Sequence, residues 1–320
     1  MVLPLWAAVV ALPPFFASPF LVDLACQFLL ASIGALSLMI LTGIAGQISL
    51  GHAGLMAAGA FTTGILFREF SAPFWITLPA SGLAGAALGF IFGLPSLRVR
   101  GVYLAVSTLA LHFVVLYGGA EYEVKRGYSS GILIDPPVLF GYEIYGGRTW
   151  YFVLVAALSL AYLLCWRLVH ARTGRAWLAL HAHPTVASAL GINVARFKLL
   201  AFVFSSSITA IAGALFAYYR GFVSVEAFSI FVSIQYIAMV IIGGMGSLAG
   251  AICGAFFVVL MPYAIEAALD LLPGADLYAG SVFAVNYAAF GAVMIAFLLF
   301  KPSGLAGMWG DLRMRFGRRP

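Results

Sequence analysis

Apolar residues in this chain collect into long runs separated by short polar or charged stretches. The runs lie at 2–16, 24–42, 47–67, 73–94, 101–117, 150–166, 199–219, 228–242, 248–270 and 281–300. Most approach the roughly 20 residues that a helix needs to cross the hydrocarbon of a bilayer. The pattern predicts an all-α polytopic membrane protein of about ten transmembrane or re-entrant helices, folded as a single transmembrane domain over 1–320. The third and eighth runs are short or broken by glycine, so each also reads as an element that enters and leaves on one side.

Composition agrees with the pattern. The chain is 63% hydrophobic and only 9% charged, with mean hydropathy +1.06, which is too apolar for a soluble core. The first run reads as a retained segment rather than a cleavable signal, since no Lys or Arg precedes it and Pro4, Pro13 and Pro14 interrupt it. Cys26, Cys165 and Cys253 are far apart and without metal-ligand spacing, and are expected to be packing residues.

Charge sorts the loops. The loop 167–198 carries five basic residues, Arg167, Arg172, Arg175, Arg196 and Lys198, and no acid. The tail 301–320 is also basic, whereas 120–149 mixes Lys125, Arg126 and Arg148 with Glu121, Glu123, Asp135 and Glu143. Basic loops mark the cytoplasmic face. Ten crossings with both termini cytoplasmic and 120–149 external satisfy these assignments. The net charge of +6 then needs no nucleic acid to explain it.

Within the loop, Pro184 followed by Gly191 has the asymmetry of a short helix, with proline in its first turn and glycine just past its end. A preceding helical turn over 175–180 is expected to present Trp177 and Leu178 beside basic groups. Such a hairpin suits a docking surface for a soluble partner, and equally an amphipathic anchor on anionic lipid.

Two glycine-rich stretches raise a different question. The glycines of "SGLAGAALGFIFG" are read as close helix packing. In "LTGIAGQISLGHAGLMAAGAF", however, glycines coincide with Gln47, Ser49 and His52, and backbone freed by a helix break must be satisfied by protein or by a water-filled cavity. "IIGGMGSLAGAICGAFF" echoes it: both contain Ser-Leu, then small residues, then Gly-Ala-Phe. Two related halves, each giving an interrupted element to a central pathway, account for the echo. Gly46, Gln47, Ser49, His52, Gly243, Gly244, Gly246 and Ser247 are therefore the candidate pathway residues. His52 reads either as a relay or ligand or as a side chain bonded to a neighbouring carbonyl, and helix ends near 43–49 and 243–247 offer free N–H groups to a passing carboxylate. His112, Gln235, Glu266 and Asn286 are weaker candidates.

No lysine follows a glycine, so the chain has no phosphate-cradling loop of its own. It also lacks an H-E-x-x-H helix, a G-x-S-x-G elbow and a pair of membrane-embedded carboxylates. It therefore does not read as an enzyme or as an obvious proton-driven carrier, and no catalytic or metal-ligating residue is assigned.

The motifs "GQISLGHAGLMAAGAF", "PSLRVRGVYLAVSTLAL", "TGRAWLALHAHPTVASALGINVARFKLLAFVFS" and "VIIGGMGSLAGAICGA" together resemble the LivM-type permease subunit of the branched-chain amino acid ABC importers, in order from 27 to 300. The resemblance implies a LivH-type second permease, two ATP-binding cassette subunits and a periplasmic substrate-binding protein around this chain in the inner membrane. It implies no cofactor in this chain, with ATP and Mg²⁺ held by the partners. It makes the loop 167–198 an ATPase-coupling element carrying Arg172, Arg175, Trp177, Ala187, Ala189, Leu190, Gly191, Ile192 and Asn193. Family members usually place acidic residues just before this helix, where this chain has Ala182, His183 and Pro184, so no acidic docking contact carries over. Leu, Ile and Val are the default cargo; relatives that serve urea, amides or aromatic acids look similar. The competing readings are a stand-alone channel for a small polar solute, which conducts without partners, and a scaffold, which transports nothing.

Overall fold

The computed structural model describes residues 18–97, 101–128, 131–139, 141–270, 282–300 and 304–308. The run 2–16 and nearly all of the basic tail lie outside them, as does the side chain of Asn286. The described chain is overwhelmingly helical. Seven of its helical stretches are long and apolar enough to cross a membrane. The expected ten are thus represented by seven: 47–67 becomes helical only from His52, and the apolar part of the last run is the shorter stretch Tyr287–Phe297.

Helix α1, Pro19–Leu38, starts on an N-cap at Ser18, whose hydroxyl accepts from the Leu21 amide at 3.4 Å. It runs into a π-helical turn, Met39–Ile44, before the chain leaves helical form. After the break come α2 (His52–Phe70), α3 (Phe74–Ser96) and α4 (Val102–Arg126). The short strands β1 (Ile132–Leu133), β2 (Val138–Leu139) and β3 (Tyr142–Glu143) follow. Then come α5 (Gly147–His170), α6 (Arg172–Ala182), α7 (Pro184–Ala189) and α8 (Val194–Arg220). Strand β4 (Phe222–Val223), a 3₁₀ turn Val225–Phe228, α9 (Ile230–Gly243), α10 (Leu248–Asp270) and α11 (Val282–Phe300) complete the order.

The axis of the fold is α8, which packs along α3, α2 and α1. Its 27 residues span about 40 Å at 1.5 Å per residue, long enough to join both faces of a membrane. At one end its N-cap, Asn193, adjoins the α6–α7 hairpin. At the other, β4 pairs antiparallel with β1, joining the loop after α4 to the end of α8. The loops 167–198 and 120–149 therefore sit at opposite ends of the molecule.

Close approach is purchased with small residues. A Cβ on Gly59 of α2 would meet the Ala210 carbonyl of α8, and one on Gly213 of α8 would meet the Met56 carbonyl of α2. Glycines 85 and 89 of α3 face Ser206 and Ala210 in the same way, as expected for the glycines of that segment. Cys26 and Cys165 are buried, but Cys253 is exposed on α10, not packed.

Candidate translocation and coupling site

The two interrupted elements meet. Gly246 donates its amide to the Met39 thioether at 3.2 Å, and a Cβ on Gly43 would stand 3.0 Å from the Gly246 nitrogen. The turn 244–247 links α9 to α10 with Gly244 at φ 104° and Gly246 at φ 91°, a region where a side chain is strained. Gly243 and Gly244 are buried, while Gly246 is exposed and Ser247 half-buried, its hydroxyl accepting from the Gly250 amide.

The break after α1 is held by its own chain. Gln47 is buried, its amide nitrogen taken by the Leu41 carbonyl and its side chain donating to the Lys198 carbonyl at 3.1 Å. The Leu50 amide donates to Thr108 at 2.9 Å and the Ala53 amide to Ser233 at 2.9 Å. These two amides, one in the break and one in the first turn of α2, are thus satisfied internally. Among the described residues, the Ser49 hydroxyl and the Gln47 side-chain oxygen Oε1 are buried without a partner, while the Gln47 main-chain carbonyl accepts from the Thr42 hydroxyl.

His52 lies deeper, at the start of α2. Its Nε2 lies 3.0 Å from the Gly34 carbonyl, 3.2 Å from Ser37 and 3.3 Å from Thr209, tying α2 to α1 and α8. The Tyr236 ring stands edge-on, 5.0 Å between centroids. This matches the carbonyl-bonded alternative for that histidine. The side chain is fully buried.

Gly46 points the other way. It is exposed, at φ 68°, and a Cβ there would come within 2.8 Å of the His181 ring. His181 belongs to α6, so the break and the hairpin are in contact. The hairpin itself follows its sequence signals: Pro184 opens α7, and Gly191 follows its end at φ 83°, with the Ile192 amide returning to the Ala187 carbonyl at 3.0 Å.

Trp177 departs from expectation. Instead of facing outward beside Leu178, it is fully buried and donates through Nε1 to the Phe197 carbonyl at 2.8 Å. The reason is the hairpin's own amphipathicity: Ala176, Trp177, Leu180 and Ala187 turn inward onto α8 and its neighbours, leaving Leu178, Val186 and Leu190 exposed. Arg172, Arg175, Ala189 and Gly191 are exposed with them, Ile192 is half-buried, and Asn193 is engaged as the α8 cap through the Arg196 amide.

At the opposite end, a cleft of about 440 Å³ is lined by Asp23, Trp150, Tyr219 and Arg220 among others. None of the sequence-derived candidates lines it. Asp23 and Arg220 sit at the edges of apolar runs, where a charge ordinarily reads as headgroup-level solvation; their convergence needs the packing of α1 on α8. Of the weaker candidates, Gln235 lines an adjoining pocket, His112 is buried on α4 and Glu266 is exposed.

The sequence profile described as "Branched-chain amino acid transport system / permease component" matches residues 20–299. The high-affinity branched-chain amino acid transport system permease protein LivM of Salmonella typhimurium is 33% identical over 319 residues, covering 92% of this chain and 72% of that protein. The autoinducer 2 import system permease protein LsrC of an Enterobacter species is 29% identical over 195 residues, 57% of this chain and 54% of that one. A probable branched-chain amino acid transport permease protein LivH of Methanocaldococcus jannaschii is 26% identical, covering 80% of this chain and 82% of its own. No solved structure matches. With its profile match across nearly the whole helical body, this chain belongs to the branched-chain amino acid transport permease component family.

Proposed function

We propose that this chain is one permease of an importer that moves branched-chain amino acids, or a related small amide or amino acid, across the inner membrane. A periplasmic binding protein delivers the cargo, a LivH-type permease completes the pathway, and two ATP-binding cassette subunits bind ATP and Mg²⁺ and supply the work. The hairpin α6–α7 is the coupling element, on the cytoplasmic side with both termini, and the two interrupted elements form the inner gate that it moves.

One observation carries this reading: the hairpin touches the break directly. Trp177 anchors α6 to the first turn of α8, His181 abuts Gly46, and Gln47 bonds to Lys198 in that same turn. A push on the exposed Leu178, Val186 and Leu190 is thereby transmitted to Gly46 and, through Met39, to Gly246. Arg172 and Arg175 flank that apolar surface, and Ala187 and Ile192 brace its underside. Ser49 and His52 stand behind the gate, and His52 holds α2 against α1 and α8.

The test is affinity purification in mild detergent with mass spectrometry, followed by leucine uptake into proteoliposomes. Co-purifying permease and ATPase subunits, with ATP-dependent uptake lost in Gly46→Val and Gly244→Val while the subunits stay assembled, is the expected result. A chain that purifies alone and conducts without ATP is a stand-alone channel. Undiminished uptake in both variants removes the gate.

A further inference from the structure

The end of the molecule away from the hairpin holds a charge arrangement that the gate does not use. Asp23 and Gln27 are one turn apart on α1, and Gln27 donates to Asp23 Oδ2 at 2.7 Å. The Tyr219 hydroxyl of α8 donates to the other oxygen, Oδ1. Each carboxylate oxygen keeps acceptor capacity after these bonds. Next along α8, the Arg220 guanidinium lies over the Phe216 and Tyr219 rings at 5.9 Å from each centroid. Neither Asp23 nor Arg220 has an ion-pair partner among the described residues.

Both charges line the cleft of about 440 Å³. A second cavity of about 190 Å³ shares Tyr219 and Arg220 with it and continues past Gln27 among Leu30, Met56, Phe228 and Met239. An acid and a base thus face one open space without neutralising each other, and an apolar pocket adjoins them.

We propose that this is a binding site for an aliphatic α-amino acid in its zwitterionic form. The Asp23 carboxylate takes the α-ammonium, the Arg220 guanidinium takes the α-carboxylate, and the branched side chain enters the apolar cavity. The proposal rests on the amino acid import reading above and adds to it the residues and the orientation. Asp23 is half-buried and Arg220 exposed at the mouth of the cleft, so a zwitterion engages both groups at once, whereas a ligand with one charge engages only one of them. Bidentate geometry suits arginine to a carboxylate. Gln27 and Tyr219 are positioning residues: they hold Asp23 in one rotamer.

The experiment uses the complete complex, with binding protein, in proteoliposomes, and reads radiolabelled leucine and alanine uptake. Asp23→Asn and Arg220→Gln are each expected to lower leucine uptake by about tenfold or more, the loss of one charged hydrogen bond, with co-purification and thermal stability unchanged. Asp23→Glu is expected to restore most of the uptake. Val232 also lines the apolar cavity, and Val232→Phe, which fills it, is expected to depress leucine relative to alanine. Uptake within about twofold of the parent in both charge variants overturns the site, since a paired charge is worth more than that. So does a loss that Asp23→Glu reproduces in full while Val232→Phe leaves the leucine-to-alanine ratio unmoved. Absence of ATP-dependent leucine uptake by the unsubstituted complex overturns the import reading itself, a failure visible before any variant is made.

Discussion

The side-chain amide of Gln47 donates to the main-chain carbonyl of Lys198 across 151 residues of sequence, at 3.1 Å. That bond joins the non-helical stretch after α1 to the first turns of α8, directly beneath the hairpin. If it transmits hairpin motion, Gln47→Leu keeps the volume and loses the link. A stability change of about 1 kcal/mol is expected, with leucine uptake falling severalfold more than ATP hydrolysis in the same proteoliposomes. Equal falls in the two rates show that Gln47 only packs.

Trp177 separates packing from hydrogen bonding. Trp177→Phe retains most of the buried ring and loses the bond to the Phe197 carbonyl, at about 1 kcal/mol. Trp177→Ala leaves a large void, and core aromatic truncations cost about 3–5 kcal/mol. Only the alanine variant is expected to lose the ATPase subunits during purification, because only it frees the hairpin from α8. Retention of those subunits by Trp177→Ala removes the anchoring role.

The reciprocal contact of Gly59 and Gly213 sets the distance between α2 and α8. Gly59→Leu and Gly213→Leu put side chains into Ala210 and Met56 backbone and are expected to abolish the folded species, while Gly118→Ala, where a Cβ meets nothing within 4 Å, stays neutral or better. Fluorescence-detected size exclusion after a heat ramp reads all three. A Gly59→Leu protein with the parent's melting temperature contradicts the packing described here.

His52 is a structural node. His52→Ala removes the group bridging Gly34, Ser37 and Thr209, and a cost of about 1–3 kcal/mol follows from leaving buried polar groups underpaired. His52→Gln, which can still donate to the Gly34 carbonyl, is expected to retain at least about half of the uptake, since it keeps that bond and gives up only the contacts to Ser37, Thr209 and the Tyr236 ring. A proton relay predicts the opposite: no uptake in His52→Gln although the complex is assembled and stable.

Much of the secondary structure is legible in the sequence, because hydrocarbon imposes a length on every spanning helix. Seven of the apolar runs become helices of that kind, and the Pro184–Gly191 punctuation marks α7 to within a residue or two. The side chains at the site were less legible. Gly46 and Gly246 were singled out by composition, yet that they lie at one end of the fold, one against His181 and the other against Met39, follows from contacts separated by more than 130 residues. An aromatic beside arginines looks the same in sequence whether it faces lipid or its own core, and only the packing turns Trp177 inward.

The chain's own sequence determined that it lives in a membrane, where its helices run and which loop is basic, since these depend on local apolar length and on charge. Tertiary packing alone decided that the Leu50 and Ala53 amides are already bonded, that the hairpin rests on the helix break, and that Asp23 and Arg220 open on one cleft. Each of these joins partners distant in sequence. Whether a glycine, an acid or a ring is exposed depends on which helix lies across it, and here that helix is most often α8.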